Sequence, residues 1–187
     1  MRNDALHRAF DEVPRSDFLP EEVRSHAGVD APLPLVDGQT NSQPSTVATM
    51  LGLLGPQPGH RVLDVGSGSG WTTALLTHLV APDGFVLGVE IVAELVSSGR
   101  AALAPYADGR AEIRRARRDV LGAPEDGPYD RILVSAEADR VPEQLVEQLA
   151  EGGVLVVPVA GTMHRIRRTP DGLQNTVHGQ YRFVPLL

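Results

Sequence analysis

The chain has 187 residues, and 42% of them are hydrophobic. It contains no cysteine and has a net charge of −7 at pH 7. Its length and apolar content favour one folded domain with a sizeable core and disfavour a disordered chain. The charge disfavours a general nucleic-acid binder, and the lack of cysteine excludes disulfides, thiolate metal sites and thiol nucleophiles. No stretch approaches about 18 consecutive apolar residues and the N-terminus lacks a signal-peptide core, so we expect a cytoplasmic protein without a membrane span.

The N-terminal part of the chain is predicted to be only partly regular. A short helix over residues 5–10 precedes a proline-bounded loop over residues 13–20. Residues 30–44 contain three prolines with little periodicity, and such irregular segments are often functional. A helix is predicted over residues 45–54, where apolar side chains recur at helical spacing.

Strands and helices alternate from residue 61 onward. Strands are predicted over residues 61–65, 85–90, 112–117, 129–135 and 154–159, and helices over residues 72–79, 93–103 and 142–150. This alternation indicates an α/β fold, a doubly wound and mostly parallel sheet with helices on both faces. Residues 163–169 and 177–187 flank the turn Pro170-Asp171-Gly172 and predict an antiparallel addition at the C-terminal edge.

A glycine-rich run joins the first strand of this region to its helix. Residues 62–70 read Val-Leu-Asp-Val-Gly-Ser-Gly-Ser-Gly, and a strand, a glycine turn and a helix N-terminus together form a nucleotide-type pocket. Glu90 ends the next strand, 20 residues past Gly70, about where an acid meets ribose hydroxyls in such folds.

The glycine spacing bears on the choice of nucleotide. Dinucleotide binders require G-x-G-x-x-G, whereas this run reads G-x-G-x-G and is followed by the bulky Trp71. The pattern favours a ligand without a pyrophosphate, such as S-adenosylmethionine. A degenerate dinucleotide site and a plain glycine-rich turn both remain open on the spacing alone.

Several flanking blocks recur in one order across nearly the whole chain, from about residue 9 to residue 186. They are Val13-Pro14-Arg15-Ser16-Asp17-Phe18-Leu19-Pro20, Leu33-Pro34, Gly38-Gln39-Thr40-Asn41-Ser42-Gln43-Pro44, Pro128-Tyr129-Asp130-Arg131-Ile132, Gln148-Leu149 with Gly152-Gly153, and Arg182-Phe183-Val184-Pro185-Leu186. That order resembles the protein-L-isoaspartate O-methyltransferase family. The block over residues 38–44 is the specific part, because generic methyltransferases lack it.

The resemblance implies a Rossmann-like, class I S-adenosylmethionine-dependent methyltransferase fold and a protein carboxyl O-methyltransferase activity. Such an enzyme methylates the α-carboxyl of L-isoaspartyl residues in damaged proteins or peptides, and the ester then collapses to a succinimide, which starts repair. S-adenosyl-L-homocysteine is the other product. We expect one domain, in which residues 1–55 form a substrate and active-site cap, residues 56–160 the cofactor-binding core and residues 161–187 the antiparallel strands.

The proposed reaction requires the protein mainly to position the substrate carboxylate against the sulfonium methyl. A carboxyl group has a pKa of about 4, so it is already ionised at neutral pH and needs no general base to attack a sulfonium methyl. Ser42 matches the serine that the family uses at its active site, and its hydroxyl can donate to the substrate carboxylate. Thr40 is a second candidate donor. A turn or cap serine ahead of Pro44 is the plain alternative for Ser42.

The other site residues are implied by the matching blocks. The resemblance assigns ribose binding to Glu90, a place near the adenine amino group to Asp119, and a water-mediated ammonium contact to Asp64. The implied cofactor-binding residues are Gln43, Pro44, Ser45, Thr46, Asp64, Gly66, Ser67, Gly68, Glu90, Ile91, Asp119 and Val120, and the substrate-binding residues are Asn41, Phe183, Val184 and Pro185. The six histidines are scattered, so no metal is expected. We interpret Arg114, Arg115, Arg117 and Arg118 as a solvated strand edge.

The chain departs from the family's pattern at four positions. Asn41 replaces an apolar residue beside Ser42, Val120 replaces a glycine after the acid, and Glu137 and Asp139 add negative charge. Two other hypotheses therefore stay open beside isoaspartyl repair. One is a peptide-tailoring aspartyl O-methyltransferase that gives an aspartimide in a dedicated peptide, and the other is a non-catalytic cofactor-binding module. We expect a monomer whose partner is a protein or peptide, with no nucleic acid and no membrane.

Overall fold

This computed structural model describes residues 2–186, with side chains from Asp4 onward, and within them the chain forms six α-helices and nine strands. The helices are α1 (Arg2–Glu12), α2 (Glu21–Arg24), α3 (Pro44–Leu54), α4 (Trp71–Val80), α5 (Ala93–Ala107) and α6 (Glu143–Glu147). The strands are β1 (Leu33–Pro34), β2 (Thr40–Asn41), β3 (Arg61–Val65), β4 (Phe85–Glu90), β5 (Ala111–Arg115), β6 (Tyr129–Val134), β7 (Leu149–Val159), β8 (Thr162–Thr169) and β9 (Gly172–Gln180).

Seven of these strands form one sheet in the order β5-β4-β3-β6-β7-β8-β9. The first five in that order pair in parallel, and β8 and β9 add antiparallel at one edge. The chain moves outward from β3 to β5 and then returns to the other side of β3, so the strand order reverses there. The mostly parallel α/β sheet with antiparallel C-terminal strands confirms the predicted fold class.

Alternate residues of the parallel strands send their side chains to opposite faces of the sheet. In β3, Val62 joins the core formed with α1, α3, α4 and α5, whereas Leu63 joins the core on the other face. That second face is covered mainly by short α6 and by the irregular chain between β5 and β6. Within residues 2–186, no helix combines the length and apolarity that crossing a bilayer requires.

The region from residue 142 to 159 differs from the prediction of a helix that continues to residue 150. Helix α6 ends at Glu147, and β7 already begins at Leu149, which pairs with Tyr129. The register then shifts, because the next pair along the ladder joins Arg131 to Val154. The extra residues form a bulge at the Gly152-Gly153 pair, which reads in the sequence as a break between elements.

Other boundaries also differ from the prediction, most of all those of α5 and of the second tail strand. Helix α5 continues past residue 103 through Pro105 to Ala107, where Tyr106 packs against Phe18 with ring centres 5.3 Å apart. The second strand of the tail was predicted over residues 177–187, but β9 covers Gly172–Gln180. After β9 the backbone bonds elsewhere. The Tyr181 N–H donates to the Gly161 carbonyl oxygen, and residues 184–186 bond to Glu137, in the chain after β6. Residue 187 lies outside the described part.

Candidate functional site

The candidate site lies where the strand order reverses, at the carboxyl ends of β3, β4 and β6. Parallel sheets commonly bind ligands at such a point, because neighbouring connections diverge there and leave a crevice. Separate parts of the chain meet around one cavity at this place. Its described lining comprises residues 39–42, 65–69, 71–72, 89–91, 116–122, 135–136 and 184–186, together with Gln144.

The glycine turn after β3 requires glycine at its last position. Gly70 has a φ of 91°, in the left-handed region that other residues avoid. A Cβ there would lie 3.1 Å from the Gly99 carbonyl oxygen and 3.1 Å from the Ile113 side chain. A larger residue would therefore push the start of α4 away from α5 and β5.

The backbone of this turn is fixed to the end of β4. The N–H groups of Gly66 and Ser67 donate to the Val89 carbonyl oxygen at 2.9 and 3.1 Å. The Gly68 N–H donates to the Glu90 carboxylate at 2.8 Å. Because these donors are used within the protein, the turn offers a ligand a close backbone surface with few side chains.

Glu90 lies at the carboxyl end of β4 and borders the cavity, with 6% of its surface exposed. Its Oε2 accepts the Gly68 N–H and its Oε1 accepts the Val92 N–H, each at 2.8 Å. Each carboxylate oxygen can accept two hydrogen bonds, so both keep acceptor capacity. The fixed carboxylate therefore suits recognition of two neighbouring hydroxyl groups.

Asp64 lies directly behind this turn and is completely buried. The Thr73 hydroxyl donates to Oδ2 at 2.8 Å, and Oδ1 has no partner among the described residues. Burial raises the pKa of the Asp64 carboxyl to about 7, and the Thr73 bond and the charge of Glu90 act in opposite directions on that pKa. Asp64 does not line the cavity, so its water-mediated contact with a ligand stays a prediction.

We expect Asp64→Asn to change how stability depends on pH. Between about pH 4 and about pH 7, the unfolded chain has lost this proton while the folded protein keeps it, so the wild type loses stability as pH rises. The variant lacks this titration. The difference in Tm, variant minus wild type, should therefore rise between about pH 5 and about pH 8. Thermal unfolding followed by circular dichroism measures this, and a difference that stays constant with pH would contradict it.

Residues 39–42 bring Ser42 to the cavity from the N-terminal part of the chain. Strands β1 and β2 pair antiparallel just before it, with Leu33 opposite Asn41. Ser42 is half-buried, and its hydroxyl makes no hydrogen bond within residues 2–186. Thr40 is exposed and also lines the cavity. Both hydroxyl groups are thus available to a polar group of a ligand.

The chain leaves the cavity at the start of α3, which Asp30 holds in place. The Asp30 carboxylate accepts the Ser45 N–H at 2.9 Å and the Gln43 side-chain amide at 3.0 Å. These hydrogen bonds lower the pKa of the Asp30 carboxyl. The Gln43 side chain and the Ser45 backbone N–H are therefore both bound at the helix start, which fixes the position of the neighbouring Ser42.

Asp119 and Val120 line the cavity where β5 gives way to irregular chain. Asp119 is exposed, and its carboxylate lies 3.7 Å from the Arg117 guanidinium. Val120 is half-buried and pairs with Arg117 through an isolated β-bridge. The valine thus adds apolar surface to the wall of the cavity at a position where the family's pattern has a glycine.

A buried amide supports this wall from behind. The Gln148 side chain accepts the Ala123 N–H at 3.0 Å and donates to the Leu121 carbonyl oxygen at 2.8 Å. Gly122 lies between them with a φ of 82°, and a Cβ there would be 2.5 Å from the Gln148 side-chain oxygen. Only glycine therefore fits this approach of the wall to Gln148.

The C-terminal segment closes another side of the cavity. Val184 and Pro185 line it, and the Glu137 N–H donates to the Val184 carbonyl oxygen at 2.7 Å. The Leu186 N–H in turn donates to the Glu137 carbonyl oxygen at 2.8 Å. Phe183 does not line the cavity, because it packs against the core beneath α1, α3 and α4.

The cavity brings together many of the residues predicted for the site. They are Thr40, Asn41, Ser42, Gly66, Ser67, Gly68, Glu90, Ile91, Asp119, Val120, Val184 and Pro185. The structure places the others outside the lining, namely Gln43, Pro44, Ser45, Thr46, Asp64 and Phe183. For all of them, the roles in binding and catalysis stay predictions.

Other lining residues were not foreseen. The sequence reading did not assign Gln39, Ser69, Trp71, Thr72, Leu121, Gly122, Ser135, Ala136, Gln144 or Leu186 to the site. Gln39, Ser69, Leu121 and Leu186 directly adjoin assigned residues, so adjacency could have found these four, whereas the other six are brought to the site only by the fold. Arg117 and Arg118 also line the cavity; both are exposed, but they follow the end of β5 at Arg115, so they are not part of the strand edge on which they were predicted. Glu137 and Asp139 lie outside the described lining.

The comparisons with known proteins point to one family. The family model described as protein-L-isoaspartate(D-aspartate) O-methyltransferase matches residues 1–187. A protein-L-isoaspartate O-methyltransferase from Methanopyrus kandleri is 44% identical over 193 residues, which cover 100% of this chain and 85% of the relative. One from Thermococcus onnurineus is 43% identical and is covered to 87%, again over 100% of this chain.

Solved structures agree in fold. A protein-L-isoaspartate O-methyltransferase from Plasmodium falciparum, in complex with S-adenosyl-L-homocysteine, has a TM-score of 0.84 at 25% identity. The match covers 98% of this chain and 90% of that chain.

Proposed function

Because the chain belongs to the protein-L-isoaspartate O-methyltransferase family, we propose that it methylates the α-carboxyl of L-isoaspartyl residues in damaged proteins or peptides. S-adenosylmethionine is the methyl donor, and the ester then closes to a succinimide, which starts repair. One observation carries this proposal. A single cavity joins the glycine turn and the Glu90 carboxylate to the hydroxyl of Ser42, which has no hydrogen-bond partner in the part of the chain that the structure describes.

The chemistry of the cavity fits the cofactor. Glu90 offers two acceptor oxygens to the ribose hydroxyls, and Ile91 and Val120 offer apolar surface to the adenine ring. Asp119, exposed at the same wall, is the acceptor assigned to the adenine amino group. When bound, S-adenosylmethionine supplies an electrophilic methyl group on its sulfonium.

The protein's part in catalysis is to hold the substrate carboxylate. That group has a pKa of about 4, so it is ionised at neutral pH and no side chain has to remove a proton. The Ser42 hydroxyl donates one hydrogen bond to it and leaves the other carboxylate oxygen free to react. Thr40, which lines the same cavity, would donate a second bond, and Val184 with Pro185 would form a wall for the substrate peptide; their common place in the cavity lining supports these roles. Such positioning contributes several kcal/mol to a reaction of this kind.

A paired-peptide assay tests the proposed function. The protein is incubated with methyl-labelled S-adenosylmethionine and two peptides that differ only in carrying isoaspartate or aspartate at one position. We expect labelled, base-labile ester in the isoaspartyl peptide alone. Label in the aspartyl peptide alone would support the tailoring hypothesis instead. Calorimetric binding of S-adenosyl-L-homocysteine without any methylated product would support the non-catalytic module.

We extend the proposal to the organisation of the chain and its setting. Residues 1–55 act as the cap that carries Ser42, residues 56–160 bind the cofactor, and residues 161–187 complete the sheet edge and the substrate wall. The net charge of −7 and the lack of cysteine support a cytoplasmic protein that acts without nucleic acid or membrane. We also propose that it is a monomer, which light scattering during size-exclusion chromatography measures.

A further inference from the structure

Arg15 is a buried cation that binds the segment carrying Ser42. Only 5% of its surface is exposed, and its Nε donates to the Asn41 side-chain oxygen at 2.7 Å. One terminal nitrogen donates to the Val29 carbonyl oxygen at 2.9 Å. The other donates to the carbonyl oxygens of Ala31, at 2.9 Å, and of Asn41 and Ser42, each at 3.0 Å. The chain before β1 and the chain from β2 to Ser42 are thus held together from one point.

Asn41 carries this network on to the glycine turn. It is 4% exposed, and its Nδ2 donates to the Ser69 hydroxyl at 3.0 Å. An arginine only donates, so the Asn41 oxygen must face Arg15 and its nitrogen must face Ser69. Both ends of the amide are therefore used inside the protein. An apolar residue, which the family pattern has at this position, could make neither bond.

A second contact joins the same two regions. The Arg15 guanidinium lies 5.5 Å from the centre of the Trp71 ring, within the range of a cation–π interaction. The Trp71 indole N–H donates to the Val13 carbonyl oxygen at 3.1 Å. Arg15 is thereby packed between the first residue of α4 and the segment that carries Ser42.

We propose that the chain Arg15–Asn41–Ser69 is a positioning device that couples the glycine turn to Ser42. The inference rests on the proposed function, because it concerns how the catalytic serine of that reaction is held. Occupation of the glycine turn fixes Ser69, Ser69 fixes the Asn41 amide, and Asn41 with Arg15 fixes the backbone at Ser42. Asn41 thus acts through Ser42 and is a positioning residue, in contrast to the substrate contact that the family resemblance implies.

The test compares Ser69→Ala, which removes the acceptor, with Ser69→Thr, which keeps a hydroxyl. We expect Ser69→Ala to lower kcat on an isoaspartyl peptide about fivefold, because one hydrogen bond is lost. KM and the Kd of S-adenosyl-L-homocysteine should each change less than about twofold. Ser69→Thr should restore most of kcat. Asn41→Leu should lower kcat further, and adding Ser69→Ala to it should have no additional effect, because the two residues act as one unit.

Several outcomes would overturn the proposal. Independent, multiplying effects of Asn41→Leu and Ser69→Ala would show that the residues are not coupled. A rise in KM at constant kcat for Asn41→Leu would show a direct substrate contact. Parallel falls in kcat, cofactor affinity and Tm for Ser69→Ala, unrescued by threonine, would show a merely structural hydroxyl. If Asn41→Leu fails to fold, the alanine and threonine variants of Ser69 decide alone.

Amide hydrogen exchange separates this inference from the proposed function, since it needs no turnover. In the wild type, saturating S-adenosyl-L-homocysteine should slow exchange over residues 39–42 as well as over the glycine turn. In Ser69→Ala, protection should remain at the turn and be lost over residues 39–42. Equal protection of both regions in the variant would refute the coupling even if isoaspartyl methylation is confirmed. If Ser69→Ala loses protection over residues 39–42 as expected, but the wild type methylates no isoaspartyl peptide, the coupling stands and only the proposed function is refuted.

Discussion

Replacing Ser42 by alanine is expected to lower kcat on an isoaspartyl peptide at least about tenfold, while cofactor affinity stays near that of the wild type. A hydrogen bond to a charged group contributes about 1.5–3 kcal/mol, and this one would be made to the reacting carboxylate. The hydroxyl has no partner among the described residues, so its loss leaves no donor or acceptor of the protein unpaired. Steady-state kinetics, with calorimetry for S-adenosyl-L-homocysteine, measures both quantities.

The matched control for Ser42→Ala is Ser25→Ala. Ser25 is an exposed serine of the same N-terminal region, outside the cavity lining, and its hydroxyl contacts only the His26 ring in the described structure. Its substitution should leave kcat and KM unchanged. Unchanged turnover in Ser42→Ala would remove Ser42 from catalysis, and equal losses in the two variants would point to a general effect on folding.

Replacing Glu90 by alanine is expected to weaken binding of S-adenosyl-L-homocysteine about 100-fold, as for loss of two charge-assisted hydrogen bonds to the ribose. Glu90→Gln should lose less, about tenfold, because the amide keeps one acceptor oxygen. The carboxylate also accepts the N–H groups of Gly68 and Val92. Part of the loss in the alanine variant will therefore come from a looser glycine turn, and thermal unfolding reports that part separately.

Glu94→Gln is the control for this series. Glu94 is an exposed acid in the first turn of α5, four residues further along the chain, so its substitution removes the same charge without touching the cavity. The Kd of S-adenosyl-L-homocysteine for Glu94→Gln should match that for the wild type within about twofold. Equal affinities in the Glu90 and Glu94 variants would mean that the ribose is bound elsewhere, and the proposed orientation of the cofactor would then be wrong.

The sheet and the cofactor half of the site follow from local sequence signals. Three glycines between an apolar strand and a helix define a turn whose backbone conformation other residues avoid, and Gly70 has a φ of 91°. Glu90 could be assigned from spacing alone, because it ends the strand that pairs next to β3. Such patterns work within one strand–turn–helix–strand unit, because each strand in a parallel sheet commonly pairs with the next one along the chain.

The resemblance brought Ser42 to attention, but the sequence did not identify what holds it. Arg15 and Asn41 are 26 positions apart, and Asn41 and Ser69 are 28 apart. No periodicity connects such positions, since the contacts exist only after α4 and the β1–β2 segment have packed around Arg15. Asn41 therefore stood out in the sequence only as a departure from a pattern, and its two hydrogen bonds explain how a polar residue is tolerated there.

The same distinction explains the elements that were wrongly bounded. The start of β7 at Leu149 depends on pairing with Tyr129, and the bulge at Gly152-Gly153 absorbs the register shift that follows. Residues 184–186 lie away from the terminal hairpin because Glu137, 47 positions before Val184 and 49 before Leu186, supplies the backbone partners of both. The backbone N–H and C=O groups at these boundaries find their partners only in parts of the chain that are distant in sequence.

The sequence by itself determined the α/β class, the glycine turn and the place of Glu90 at a strand end, because backbone conformation and apolar patterning are local properties, whereas Ser42 was singled out only by the family resemblance. Only the tertiary structure decided that Asp64 is buried behind the turn, that Gln148 supports the wall carrying Asp119, and that Arg15 holds Ser42 through the chain around it. Burial and hydrogen-bond partnership are set by which distant residues approach one another when the core closes.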